Sequence, residues 1–217
     1  LYSPLASSET RLPVAVIVSG YRDPGFAAAI GSPFKEMMWT QSWARLFAAS
    51  GVAAITYTNV DPVADLVTLF ATLQERAEEW QIDATRVAIF ASSGHVPTAL
   101  SALLHDFPFG VSRGAFLYGY MLGEATANAA ATFRFANPCA GRAIADVRTT
   151  PLLIARGGRD EMPGLNATID AFVAAALAEN WPLTLINHAS APHAFDLIDD
   201  SEASRSVIDA VVRFMSA

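Results

Sequence analysis

The chain has 217 residues, a length that suits one domain with a full core over residues 1–217. Apolar residues make up 53%, which excludes general disorder. The formal net charge is −7 with no basic block, which argues against nucleic acid or an anionic membrane as the main partner.

The start, Leu1-Tyr-Ser-Pro-Leu5, reads as neither a signal peptide nor an initiator methionine, so a processed, trimmed or incomplete chain is expected. Residues 14–19 read as a buried strand between Pro13 and Gly20. Residues 39–49 read as a helix, with Gly51 as its stop signal. Residues 52–57 form the next strand. Asp61-Pro62 then opens a long helix, because Asp caps free N–H groups and Pro tolerates the first helical position. Leu66, Leu69, Phe70, Leu73, Ala77 and Trp80 follow at helical spacing and form one core-facing stripe.

Residues 87–91 read as a strand and 94–105 as a helix, with Pro97 in its first turn. Residues 115–118 are another strand. Residues 119–150 carry mixed signals and no clean periodicity, and are too few for a large cap domain. Residues 151–155 read as a strand, 165–177 as a helix and 183–187 as the last strand. Val207, Ile208, Val211, Val212 and Met215 mark a closing helix.

Continuous apolar strands alternating with helices imply an α/β fold, with a mostly parallel sheet covered on both faces. Apolar runs such as residues 14–18 are far too short to span a bilayer. The single cysteine, Cys139, excludes an intramolecular disulfide and thiolate-built metal sites. Nothing requires an oxidising compartment, so a soluble protein is expected, the cytoplasm being favoured. No His/Asp/Glu cluster has metal spacing, and Gly20, Gly25 and Gly31 form no phosphate loop. No cofactor or metal is expected.

Three polar residues fall just after predicted strands, where ligands bind in parallel sheets. Ser93 follows the strand 87–91 through Ser92, at a strand-to-helix turn that strains the backbone and lifts a hydroxyl clear of the sheet. Serine is a poor nucleophile without a base and a group that orients the base. His193, in Ala-Pro-His193-Ala-Phe-Asp, suits the base, and Asp160, in Arg-Gly-Gly-Arg-Asp160, suits the orienting acid. Ser92 competes with Ser93, but placing Ser93 at the elbow puts the small Ala91 two before the nucleophile, where strand and helix meet, whereas placing Ser92 there puts Phe90 in that position. Glu124 competes with Asp160, while Glu161, one residue along, faces away.

Of the other histidines, His95 is expected as a wall or packing residue, His105 as a helix-end residue and His188 at the end of the last strand. Backbone donors for a developing oxyanion are expected from the N–H groups of Gly94 and Tyr21. Trp39, Trp43 and Tyr57 read as core more than as pocket.

These segments resemble the α/β-hydrolase superfamily in its dienelactone-hydrolase-like branch. The resemblance rests on Val14-Ala-Val-Ile-Val-Ser-Gly-Tyr21, on Ala91-Ser-Ser93-Gly-His95, on Gly157-Gly-Arg-Asp160 and on His193-Ala-Phe-Asp196. It implies an eight-stranded, mostly parallel sheet and a Ser-His-Asp or Cys-His-Asp triad. It also implies hydrolysis of a small-molecule acyl substrate, an ester or lactone, without a cofactor. Carried over, Ser93 is the nucleophile, His193 the base and Asp160 the acid.

The chain departs from that pattern in three ways. His95 fills the elbow's second small position. Serine stands where dienelactone hydrolase has cysteine, so dienelactone is not the implied substrate. About a dozen residues precede Val14, so the opening strand pair is short or missing and fewer than eight strands are expected. A fairly open site for a small or exposed ester follows. A thioesterase or peptidase would use the same parts, and a non-catalytic binding protein of the same fold is the rival of another class.

Overall fold

The computed structural model describes residues 1–5 and 11–217. Its centre is a six-stranded parallel sheet in the order β2-β1-β3-β4-β5-β6. The strands are β1 (Leu12–Ile17), β2 (Ala53–Ile55), β3 (Ile82–Ser92), β4 (Arg113–Leu117), β5 (Leu152–Gly157) and β6 (Leu183–His188). Successive strand residues point to opposite faces. Since every residue from Val87 to Ala91 is buried, both faces of the sheet are covered.

Eight α-helices connect or flank the strands among the described residues. They are α1 (Asp23–Ile30), α2 (Met38–Ala49), α3 (Pro62–Glu75), α4 (Val96–Ser101), α5 (Glu124–Phe133), α6 (Leu165–Ala178), α7 (Phe195–Ile198) and α8 (Glu202–Ser216). The face under α2 is aromatic: Phe90 of β3 lies 4.5 Å from Trp43 and 5.3 Å from Phe47, ring centre to ring centre. Helix α8 packs beside α2 and against β4, β5 and β6. No helix among the described residues is long and apolar enough to cross a membrane.

Each predicted strand is present, with ends shifted by a few residues. The long helix starts where Asp61 caps it, its carboxylate accepting the N–H groups of Val63 and Ala64. It stops at Glu75, so Ala77 and Trp80 reach the core from a turn instead of the helical stripe. The helix expected over 94–105 ends at Ser101. Leu104 leaves it to pair with Val147, and Arg148 gathers the carbonyls of His105, Phe107 and Phe109. His105 is therefore not at a helix end.

Three helices carry no sequence prediction: α1, α5 and the four-residue α7. The two longer ones, α1 and α5, are alanine-rich and mostly exposed, with Asp23 alone buried in α1 and Thr126 and Ala129 in α5. No apolar stripe repeats along them, so periodicity has nothing to detect. Ahead of β1, Tyr2 bridges Ala54 in an antiparallel sense on the outer side of β2. The expected short or missing opening strand pair falls partly on residues 6–10, which lie outside the described residues.

Candidate active site

Strand order reverses around β1: β2 lies on one side of it and β3 on the other. Ligands in parallel sheets bind at such a switch point, beyond the carboxyl ends of the strands. Ser93, the residue after β3, sits there with a left-handed φ of 52°. A non-glycine residue held at positive φ stores strain, which a strand-to-helix elbow requires.

The structure brings three predicted residues together. Ser93 Oγ lies 2.9 Å from His193 Nε2, and His193 Nδ1 lies 2.7 Å from Asp160 Oδ2. The Asp160 side chain is fully buried, while that of His193 is 27% exposed. A carboxylate on Nδ1 holds the Nδ1–H tautomer, leaving Nε2 as an acceptor for the serine proton. Asp160 reaches this position through the turn after β5. A Cβ on Gly158 would lie 2.4 Å from the carbonyl oxygen of Ala189, so only glycine lets this turn pass the loop that carries His193.

The competing residues lie elsewhere. Ser92 ends β3 and is buried beside the Tyr118 hydroxyl. Glu124 is exposed at the start of α5, and Glu161 lines an open cleft beside His193. His188 is the last residue of β6, as expected.

His95 is a packing residue with a second task. Its Nδ1 accepts the N–H of Gly20 at 2.9 Å, and its ring lies 4.2 Å from that of Phe34. Burial lowers its pKa from 6.5 to about 3, so the ring stays neutral and its acceptor stays available. The histidine in place of a small elbow residue thus ties the turn after β1 to the turn after β3.

The rest of the turn after β1 is braced as well. The Asn59 side-chain amide donates to the carbonyls of Ser19 and Tyr21 at 3.3 and 2.7 Å. Asp23, buried at the start of α1, accepts the N–H groups of Asn59 and Phe34. Tyr57 accepts the Ser19 N–H through its hydroxyl, so it is a brace and not a pocket wall. This fixes the backbone at Tyr21, while Gly94 sits in the short 3-10 turn after Ser93, whose first N–H groups lack intrahelical partners.

Sequence reasoning missed Asp196. Its Oδ2 accepts the indole N–H groups of Trp39 at 2.7 Å and Trp43 at 2.8 Å, and its Oδ1 accepts the Tyr118 hydroxyl at 2.5 Å. Tyr118, whose pKa is pushed up by burial and then by the Asp196 charge, stands edge-on to the His193 ring at 4.9 Å. Asp196 therefore bolts the loop carrying His193 to α2 and to the end of β4. The spacing of Asp196 three residues after His193 was visible, but its partners lie more than 70 residues away in sequence.

Among the described residues no group of three or more His, Cys, Asp or Glu side chains could hold a metal ion. Cys139 is buried, bonded to the Pro97 carbonyl, and its pKa is pushed up to about 12, mainly by burial. It is an unreactive thiol.

No protein-family model matches the chain, and no curated protein matches it. Solved structures do match. MGS-M1, an α/β-hydrolase enzyme from a Medee basin deep-sea metagenome library, superposes with a TM-score of 0.71 at 13% identity, over 95% of this chain and 84% of that one. The native esterase 2 of the planctomycete Thermogutta terrifontis gives 0.69 at 16% identity, over 99% and 85%. The same esterase phosphorylated by paraoxon gives 0.68 at 15% identity, over 99% and 86%. At such identities the likeness carries the fold: this chain has the α/β-hydrolase fold.

Proposed function

We propose that the chain is a serine hydrolase that cleaves a carboxylic ester or related acyl bond, in the manner of the dienelactone-hydrolase-like branch. The observation that carries this reading is the hydrogen-bonded line Ser93–His193–Asp160, with the serine on a strained elbow. Ser93 Oγ attacks the acyl carbonyl as His193 Nε2 takes its proton. Asp160 holds the ring and stabilises the imidazolium. The carbonyl oxygen becomes an oxyanion that the N–H groups of Tyr21 and Gly94 receive. His193 then gives its proton to the leaving alcohol and activates the water that releases the acid from Ser93.

The solved relatives add weight, since one is described as an esterase that paraoxon phosphorylates and tabun phosphoramylates. The rival reading as a binding protein drew on His95 at the elbow. The bond from Gly20 to His95 accounts for that residue without loss of the site.

The test is intact mass after treatment with a fluorophosphonate, followed by peptide mapping. A single adduct on Ser93 is expected. An adduct on Ser92 would move the elbow by one residue. Folded protein that takes up no adduct would remove the enzyme reading.

A further inference from the structure

The site has two sides of different chemistry. A cavity of about 760 Å³ lies between α1, the start of α3 and the end of α5, with Tyr21, Phe26, Ile30, Val63, Phe133 and Phe135 on its walls. Tyr21 and Phe135 also pack directly on the elbow. A Cβ placed on Gly94 would lie 2.5 Å from the Tyr21 hydroxyl and 2.7 Å from the Phe135 ring. The cavity and the elbow turn therefore share Tyr21 and Phe135. Its walls are held by ring contacts, Tyr21 with Phe26 at 5.3 Å and with Phe135 at 6.0 Å. The second side is an open cleft of about 570 Å³ beside His193, bordered by Arg159, Glu161 and Ser190.

The chemistry assigns the two halves of an ester to these sides. His193 Nε2 must reach both Ser93 Oγ and the leaving oxygen, so the alcohol half leaves along the cleft beside His193. The carbonyl oxygen turns to the N–H groups of Gly94 and Tyr21. The acyl substituent then has the Tyr21 side left to it. We propose that this cavity receives the acyl group, and that the substrate class is esters of a long-chain or bulky apolar acid with a small or polar alcohol. The proposal rests on the serine-hydrolase reading above.

Two features favour an apolar acyl group over an acetyl group. The volume lies within the range of about 300–1,000 Å³ that encloses ligands much larger than acetate. Ile30, Val63 and Phe133 are 56, 41 and 38% exposed, and an alkyl chain would cover them. Apolar surface left open on a cavity wall is surface that a substrate can dehydrate. The proposal departs from the expectation of a small or exposed ester because α1 and α5, neither visible in the sequence pattern, line the cavity.

The experiment uses the full chain and p-nitrophenyl acetate, butyrate, octanoate and decanoate. kcat/KM is expected to rise about threefold to fourfold per added methylene until the cavity is full. Ala29→Trp, which places bulk in the cavity from the exposed side of α1, is expected to lower the octanoate-to-acetate ratio of kcat/KM at least tenfold. Preference for acetate, or a ratio unchanged by Ala29→Trp, overturns the proposal. Octanoate binding to Ser93→Ala protein, read by calorimetry, separates this from the serine reading. Binding that Ala29→Trp abolishes supports the cavity even where Ser93→Ala leaves hydrolysis intact, a result that sinks only the nucleophile. Absence of octanoate binding together with absence of a chain-length preference sinks the cavity.

Discussion

Two clusters in this molecule contain the same three residue types, and they are opposite in design. In one, His193 stands between Ser93 and Asp160. In the other, at the base of the same loop, Ser204 stands between His188 and Asp199. Ser204 Oγ donates to Asp199 Oδ2 at 2.7 Å, and His188 Nε2 lies 3.1 Å from Ser204 Oγ. A hydroxyl has one proton. Ser204 spends it on the carboxylate, so His188 must donate to the hydroxyl and cannot act as its base. Ser204 is also fully buried in the first turn of α8, whereas Ser93 sits on a strained turn beside a part-exposed histidine. The order of the hydrogen bonds, not the residue inventory, separates a candidate nucleophile from a buried structural serine.

The largest effect that probes this contrast comes from the two carboxylates. Asp160→Asn presents an amide to His193 Nδ1 and permits the wrong tautomer, so kcat should fall by about 10⁴. Asp199→Asn should leave kcat within about threefold, because Asp199 serves Ser201 and Ser204 and never touches His193. Its carboxyl is held below the usual range by those hydroxyls, the Ser204 bond first, as a helix-entry acid should be. Steady-state kinetics on both variants checks the pair. Comparable losses would mean that the two clusters are one machine.

Asp196 sharpens the comparison from the other end of the loop. Asp196→Ala leaves the donors of Trp39, Trp43 and Tyr118 without their acceptor and frees the loop that carries His193. A fall in kcat of about 10- to 100-fold is expected, since small misplacement of a catalytic group has that cost. KM should change little. Asp196→Asn keeps one oxygen for the two indoles and an amide facing Tyr118, so it should restore most of the rate. If Asn were no better than Ala, the anchor would depend on charge and not on hydrogen bonding.

His95 offers a pH signature of its own. Its folded pKa of about 3 lies below the ordinary histidine value of 6.5, so the unfolded chain binds the extra proton first. The stabilisation is fully present above pH 6.5 and is lost as pH falls from there towards 3. By about pH 5 the loss amounts to roughly 2 kcal/mol. His95→Asn keeps an acceptor for Gly20 but not the proton site. Its urea-unfolding free energy should decline less between about pH 7 and pH 5 than that of the parent chain. Parallel declines would show that His95 is not the group that titrates.

These contrasts also explain what was legible in the sequence. Strands such as β1 and β4 announce themselves because both faces are buried and the runs are continuously apolar. Ser93, Asp160 and His193 were legible because each follows a predicted strand, and strand ends share one edge of the sheet. Helix α8 was legible from its apolar spacing at Val207, Val211 and Met215. The walls of the cavity were not, because α1 and α5 rest on the body through few buried residues and leave no period to read. Nor were Asp23, Asn59 and Asp196, whose roles exist only through partners distant in sequence. A polar residue that braces a turn looks, in sequence, like one that faces water.

The smallest expected effect returns to the second cluster. Ser204→Ala removes the hydroxyl that links His188 to Asp199 and leaves His188 Nε2 with the Asp199 carboxylate at 3.6 Å. The N-cap bond from Ser204 N–H to Ser201 Oγ is a backbone donation and survives. The loss is therefore two side-chain hydrogen bonds, about 2 kcal/mol together, partly recovered if His188 closes on Asp199. Thermal unfolding should shift by a few degrees and fluorophosphonate labelling of Ser93 should proceed at the parental rate. A labelling rate that fell with Ser204→Ala would couple the base of the loop to its tip. His188 and Asp199 would then set where His193 stands, and the buried cluster would be part of the site.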